Sequence, residues 1–193
     1  KTLTAIAIMG AAYEQGAIEK VLVVAPTSVC SVWPRDIAES ANFKHKVNVL
    51  FGTKQQRLKE LEALKAFPFK ALKVAVINYE SCWRLETDIG RWKPDMIVCD
   101  ESSKIKNPQA KCSKALHRLG KSSGYNLILT GTPITNSPLD FFSQYKFLDE
   151  EIFGGSFYGF RGKYAILGGY QNHQIVGYKK LAELVEKAHS VAY

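Results

Sequence analysis

Five short apolar runs rich in β-branched residues recur along this chain: Val21-Leu22-Val23-Val24-Ala25, Val47-Asn48-Val49-Leu50, Leu72-Lys73-Val74-Ala75-Val76-Ile77, Met96-Ile97-Val98-Cys99 and Tyr125-Asn126-Leu127-Ile128-Leu129. Short, nearly continuous runs of this kind fit strands covered on both faces, because a strand with one wet face alternates apolar and polar residues. Between the runs lie helical segments near 31–39, 54–66, 79–87 and 108–119. Strands that alternate with helices form a parallel sheet wound on both sides. The expected fold is therefore α/β: a doubly wound, mostly parallel sheet with helices on both faces. In such a sheet ligands bind at the carboxyl ends of the strands, where loops from different strands converge. The residues that follow each run are thus the ones to inspect for chemistry.

Asp100-Glu101 comes straight after Met96–Cys99 and puts two carboxylates at the end of a buried strand. That is where a nucleotide-hydrolysing sheet must hold a metal and an attacking water, although an acidic pair in a solvated turn is the plain alternative. Lys1-Thr2, followed by the helix-compatible run Leu3 to Ala12, matches the last two residues of the phosphate-loop pattern G-x-x-x-x-G-K-[ST]. In that pattern backbone amides cradle phosphates, Lys reaches the β- and γ-phosphates and Thr binds magnesium. Only that remnant is present, so the chain reads as cut within its own nucleotide site, and the isolated segment is expected to bind ATP poorly. The third junction, Leu127-Ile128-Leu129-Thr130-Gly131-Thr132-Pro133-Ile134, ends a strand in a small, hydroxyl-bearing turn. Turn chemistry alone also favours small polar residues at such places; the order of all three is what sets them apart.

Taken with Val24-Ala25-Pro26-Thr27, these segments resemble the superfamily two helicases. Asp100-Glu101-Ser102-Ser103-x-Ile105-Lys106-Asn107 and Leu129-Thr130-Gly131-Thr132-Pro133-Ile134-x-Asn136 resemble, more narrowly, the Swi/Snf-type DNA translocases. The likeness covers nearly the whole chain. It implies the first RecA-like lobe of a P-loop ATPase, with residues 1–152 as its core. Residues 153–193 would be an irregular, glycine- and aromatic-rich excursion and a last helix packing back on the lobe. It implies ATP and Mg2+ as cofactors, double-stranded DNA as partner, an intracellular setting (cytoplasm or nucleus), and a second RecA-like lobe supplying arginine fingers.

Residue by residue, the resemblance gives Lys1 and Thr2 to the phosphates, Thr2 and Asp100 to magnesium, and Glu101 to general-base activation of water. Ser103, Thr130, Gly131 and Thr132 are expected to couple hydrolysis to motion. Many superfamily two proteins have His where this chain has Ser103, and serine carries no charge near neutrality, so that link is the point of departure. Pro26, Thr27 and Ser28, with Asn78 and Tyr79, are expected to hold phosphate oxygens of one DNA strand, which positions a duplex without reading its sequence. Trp33 also matches a family position but reads as core. Another superfamily two enzyme, or a DNA-binding module with a decayed nucleotide site, are the competing readings.

Composition narrows the rest. Among 193 residues, 26 Lys and Arg against 18 Asp and Glu give a formal charge of +8, which suits a polyanion partner and plain solubility alike. The basic residues are scattered rather than blocked. The four cysteines show no Cys-x-x-Cys spacing, so reduced thiols are expected. Leu3 to Ala12 is too short to cross a bilayer.

Overall fold

Each of the five apolar runs becomes a strand of one sheet. The computed structural model describes residues 1–134, 136–172 and 174–191; Thr135, His173, Ala192 and Tyr193 lie outside the described residues. In chain order the first part of the molecule runs α1 (Thr2–Glu14), β1 (Lys20–Ala25), α2 (Val32–Ser40), β2 (His45–Val49), α3 (Lys54–Lys65) and β3 (Leu72–Asn78). Then come α4 (Tyr79–Cys82), α5 (Glu86–Trp92), β4 (Met96–Asp100), α6 (Lys111–Ser122) and β5 (Tyr125–Leu129). The strand order is β2-β3-β1-β4-β5 and every pairing is parallel.

Strand pleating sorts the runs onto two cores, because successive side chains point to opposite faces. Val21, Val23, Val74, Val76, Met96 and Val98 face α1 and α2, where Ile6, Met9, Trp33 and Ile37 are buried. Leu22, Val24, Ala75, Ile77, Ile97 and Cys99 face the other way, onto Leu61 and Leu64 of α3, Ile89 and Trp92 of α5, and Leu116 and Leu119 of α6. The inner strands β1 and β4 are fully buried apart from the first residue of β1, which is why their sequence is unbroken rather than alternating. The doubly wound fold is the one expected.

The chain lays β2 and β3 to one side of β1 and then crosses over to place β4 and β5 on the other. Sequence-distant loops therefore meet beside β1, at the point where the winding reverses. After β5 come α7 (Asp140–Leu148), α8 (Glu150–Phe153), α9 (Phe157–Tyr164), the antiparallel pair β6 (Ala165–Gly168) and β7 (Gln174–Tyr178), and α10 (Leu181–His189). The segment expected to be an irregular excursion is thus largely regular: α9 is capped by Ser156, whose hydroxyl accepts from the Gly159 amide, and a hairpin follows it. A third core gathers Phe142, Tyr145, Phe160, Tyr164, Leu184 and Ala188. It begins at Leu139, so α7 and α8 share it with the residues after 152. No helix of the described residues is long and apolar enough to cross a membrane.

Candidate active site

The ends of β1, β3, β4 and β5 share one rim, and the acidic loop at the end of β4 is its centre. Asp100 is the last residue of β4 and is 7% exposed. Burying a carboxylate is costly unless donors meet it, and here three groups converge on this residue. The indole Nε1–H of Trp33 donates to Oδ2 at 3.1 Å and the Glu101 amide donates to Oδ1 at 3.0 Å. From the opposite face of the sheet, the Tyr79 hydroxyl donates to the Asp100 carbonyl at 2.7 Å. Each carboxylate oxygen has two lone-pair positions, so one remains on each, and the side chain is held ready to accept a further ligand. Burial, with Cys99 and Asp100 nearby, pushes the Tyr79 hydroxyl far above its usual range, so it stays a donor.

Glu101 leaves the strand in the left-handed region, φ 51° and ψ 57°. A non-glycine residue there is strained, and such strain collects where a side chain must be aimed. The turn throws the carboxylate outward, 42% exposed, where Lys1 Nζ lies 3.4 Å from Oε1. As a partly exposed ion pair this contributes under about 1 kcal/mol; its weight is geometric. A methyl group added at Gly131 would sit 3.1 Å from the same Lys1 nitrogen, so the glycine admits the lysine where a larger residue would crowd it. Residues 1, 101 and 131 thus meet at one point.

Thr2 follows Lys1 as the first residue of α1, a 13-residue helix with no acidic residue in its first turn and no side-chain cap on its leading amides. Free amides and the positive end of the helix dipole suit an anion. Across the gap, Thr130 Oγ1 accepts from the Thr132 amide at 3.1 Å and fixes the turn after β5. Threonine hydroxyl and carboxylate oxygens are hard ligands, the type that magnesium prefers and soft metals do not. A cavity of about 520 Å³ opens from Lys1 and Thr130 along the outer edge of β5, walled by Ile8, Leu127 and Leu148. Its apolar walls make it unlike a seat for phosphates.

Two loops expected to meet DNA are joined to each other. Asn78 Nδ2 donates to Thr27 Oγ1 at 2.9 Å while Asn78 Oδ1 accepts from the Ser81 amide and caps α4. Thr27 and Ser28 are exposed, and Pro26 is half-buried beside them. Tyr79 is a correction: at 3% exposure, with its hydroxyl committed to Asp100, its side chain supports the acidic loop and cannot face a nucleic acid. Trp33 is core, as read, yet its ring nitrogen reaches the carboxylate, a role that its sequence setting did not reveal. Ser103 makes no side-chain hydrogen bond among the described residues, and Lys104 is exposed. Cys30 lies near the same loop, where burial, Glu80 and Asp100 push its thiol up to about 11 and leave it a poor nucleophile.

The Asp-Glu-Ser loop has one further support that sequence reasoning missed. Ser102, fully buried, donates to Gln144 Oε1 at 2.7 Å, and Gln144 Nε2 donates to the Pro133 carbonyl at 2.7 Å. The one signal for it in the sequence is a polar pair, Ser143-Gln144, inside the otherwise aromatic face of Phe141, Phe142, Tyr145 and Phe147.

A family model described as SNF2-related domain matches residues 1–188. The chain is 30% identical over 166 residues to the DNA repair and recombination protein RAD54 of Oryza sativa subsp. japonica, covering 82% of this chain and 16% of that protein. It is 31% identical over 160 residues to the DNA repair and recombination protein RAD54B of Homo sapiens, covering 80% of this chain and 17% of that one. Among solved structures, it matches the Sulfolobus solfataricus SWI2/SNF2 ATPase core in complex with dsDNA with a TM-score of 0.68 and 29% identity, over 85% of this chain and 32% of that one. The chain therefore spans about a sixth of the length of these curated relatives.

Proposed function

The chain belongs to the SNF2-related domain family, and on that premise we propose that it is the catalytic first lobe of an ATP-dependent motor that moves along double-stranded DNA. The observation that carries this reading is the meeting of Lys1, Glu101 and Gly131 at one point on the rim. Three segments that resemble the motor family in sequence are the three that the fold brings together. A chance set of strand-to-helix loops has no reason to converge on a lysine and a strained glutamate.

Lys1 and the open amides of α1 would receive the phosphates of ATP, and Thr2 and Asp100 would hold Mg2+. Held there, the metal would supply positive charge to offset the charge that develops on phosphoryl transfer. Trp33 and the Glu101 amide keep the Asp100 carboxylate in one rotamer, so that little reorganisation is needed when it takes up its ligand. Glu101, thrown outward by its left-handed backbone, orients a water and takes its proton. Its partnership with Lys1 is exchangeable, because both groups are partly exposed and the phosphates outcompete a single carboxylate for the ammonium. Thr130, Gly131 and Thr132 line the side of the site nearest Lys1 and sense the terminal phosphate.

Thr27, Ser28 and Asn78 hold one DNA strand by its phosphates, which gives movement without sequence preference. The second RecA-like lobe closes the site and supplies arginine. Support for DNA over RNA comes from the similar Sulfolobus solfataricus ATPase core, solved in complex with dsDNA, and a charge of +8 suits either polyanion. The test is steady-state ATP turnover of the natural polypeptide with added duplex DNA, single strands or RNA. Duplex should stimulate most, and less so as salt rises, because phosphate contacts release counterions. Stimulation by RNA or single strands alone would replace this reading with an unwinding helicase.

A further inference from the structure

Building on the proposed function, we infer that Gln144 is a positioning residue that ties the acidic loop to the Thr130-Gly131-Thr132-Pro133 turn. The family string expects that link near Ser103, whose hydroxyl makes no hydrogen bond among the described residues. One residue earlier, Ser102 donates to Gln144 Oε1 at 2.7 Å, and Gln144 Nε2 donates to the Pro133 carbonyl at 2.7 Å and to the Asp140 carbonyl at 3.0 Å. The amide orientation is fixed by chemistry, since two carbonyl oxygens can be met only by the NH2 end. Ser102 and Gln144 are both 0% exposed, so water cannot replace the bridge.

The bridge spans the two segments that must move together. Ser102 directly follows Glu101, and Pro133 lies two residues after Gly131, against which Lys1 rests. The turn of α7 that carries Gln144 is braced from α6 at the preceding residue: His117 Nε2 donates to the Ser143 carbonyl at 2.9 Å, and the Ser143 hydroxyl lies 3.2 Å from the same nitrogen. A shift of the turn after β5 is therefore passed through one amide to the loop that carries Glu101. A buried pair of this kind transmits displacement because leaving any of its groups unpaired is costly.

The experiment uses the natural polypeptide in three forms, Gln144→Met, Ser102→Ala and the double variant, with ATP turnover measured at saturating duplex DNA. Gln144→Met keeps the volume but removes all three side-chain hydrogen bonds; it should lower kcat about tenfold and leave the KM for ATP within about twofold, the pattern of an interaction made in the transition state. Ser102→Ala, which disturbs packing least, should also lower kcat at unchanged KM, and the double variant should be no worse than Gln144→Met, because one path has been cut. Turnover of Gln144→Met within about twofold of wild type overturns the inference. So do multiplicative losses in the double variant, or kcat and KM failing together with a lower melting temperature, which would mark a packing role. If Gln144→Met does not fold, Ser102→Ala alone decides. Wild-type protein without DNA-stimulated hydrolysis would remove the proposed function itself, whereas a stimulated wild type beside an indifferent Gln144→Met removes only this residue's role.

Discussion

The rim at the ends of β1, β3, β4 and β5 and the aromatic layer from Leu139 to Ala188 treat polar groups in opposite ways. At the rim, apolar residues serve polar ones: Trp33 and Tyr79 are buried, one on each face of the sheet, and each spends its single polar atom on Asp100. In the aromatic layer Phe142, Phe153 and Tyr164 each meet Phe160 ring to ring at centroid separations of 4.8 to 5.3 Å, and the Tyr164 hydroxyl reaches outward to the half-exposed Glu183 carboxylate at 3.4 Å. The difference teaches that the last third of the chain is a buttress. It fixes α7, and α7 delivers one polar side chain, Gln144, back to the rim.

Substitutions can sharpen or break that contrast. The largest effect is expected in the buttress: Phe160→Ala removes a ring packed against Phe142, Phe153 and Tyr164. It should lower unfolding stability by about 3–5 kcal/mol in a denaturant titration, with the KM for ATP of the folded protein unchanged. A large change in KM instead would erase the division between the two regions. Next comes the rim itself. Glu101→Gln should cut DNA-stimulated turnover about 100-fold or more, the scale of a lost general base, while equilibrium binding leaves ATP affinity nearly intact. Retained turnover would take Glu101 out of that role.

Trp33→Phe is a finer probe, since it keeps most of the core volume and deletes only the indole donor. It should lower kcat about tenfold through a looser Asp100, and a variant that loses stability but no turnover would make Trp33 core alone. The smallest effect concerns His117, between the two regions. Burial lowers its pKa, partly offset by the Ser143 carbonyl, so the folded protein holds it neutral where the unfolded chain, with a pKa near 6.5, takes up a proton. The unfolded state then binds more protons, and stability falls as pH drops below about 6.5, by at most about 1.4 kcal/mol per pH unit. His117→Gln should flatten that slope in thermal melts taken across the range.

The two regions also differ in how far they could be read from sequence. In the lobe, burial on both faces leaves an unbroken apolar run, and each run became a strand close to its expected bounds. The rim followed, because a parallel sheet puts every carboxyl end on one side. What could not be read was which large residue supports which small one. Tyr79 was assigned to DNA from its place after β3, but the loop turns straight into α4 and sinks the ring under Asp100. Trp33 carries one signature for core burial and for hydrogen bonding, and only the seating of its ring in the core beneath α1 and α2, with the indole nitrogen at the end of β4, shows that it does both. In the last third, glycines and aromatics hid the period of α9 and the hairpin, since aromatic rings pack in many registers.

The central claim is that Lys1, Thr2, Asp100, Glu101 and the turn after β5 enclose one nucleotide with its metal. The most direct measurement is the anomalous diffraction of Mn2+, replacing Mg2+, in crystals of the natural polypeptide with a non-hydrolysable ATP analogue. The account predicts a peak at the rim, about 2.1 Å from the Thr2 hydroxyl as expected for a hard octahedral ion, and within one bridging water of Asp100. A nucleotide and metal seated elsewhere on the molecule, with Lys1 and Glu101 still paired, would contradict it.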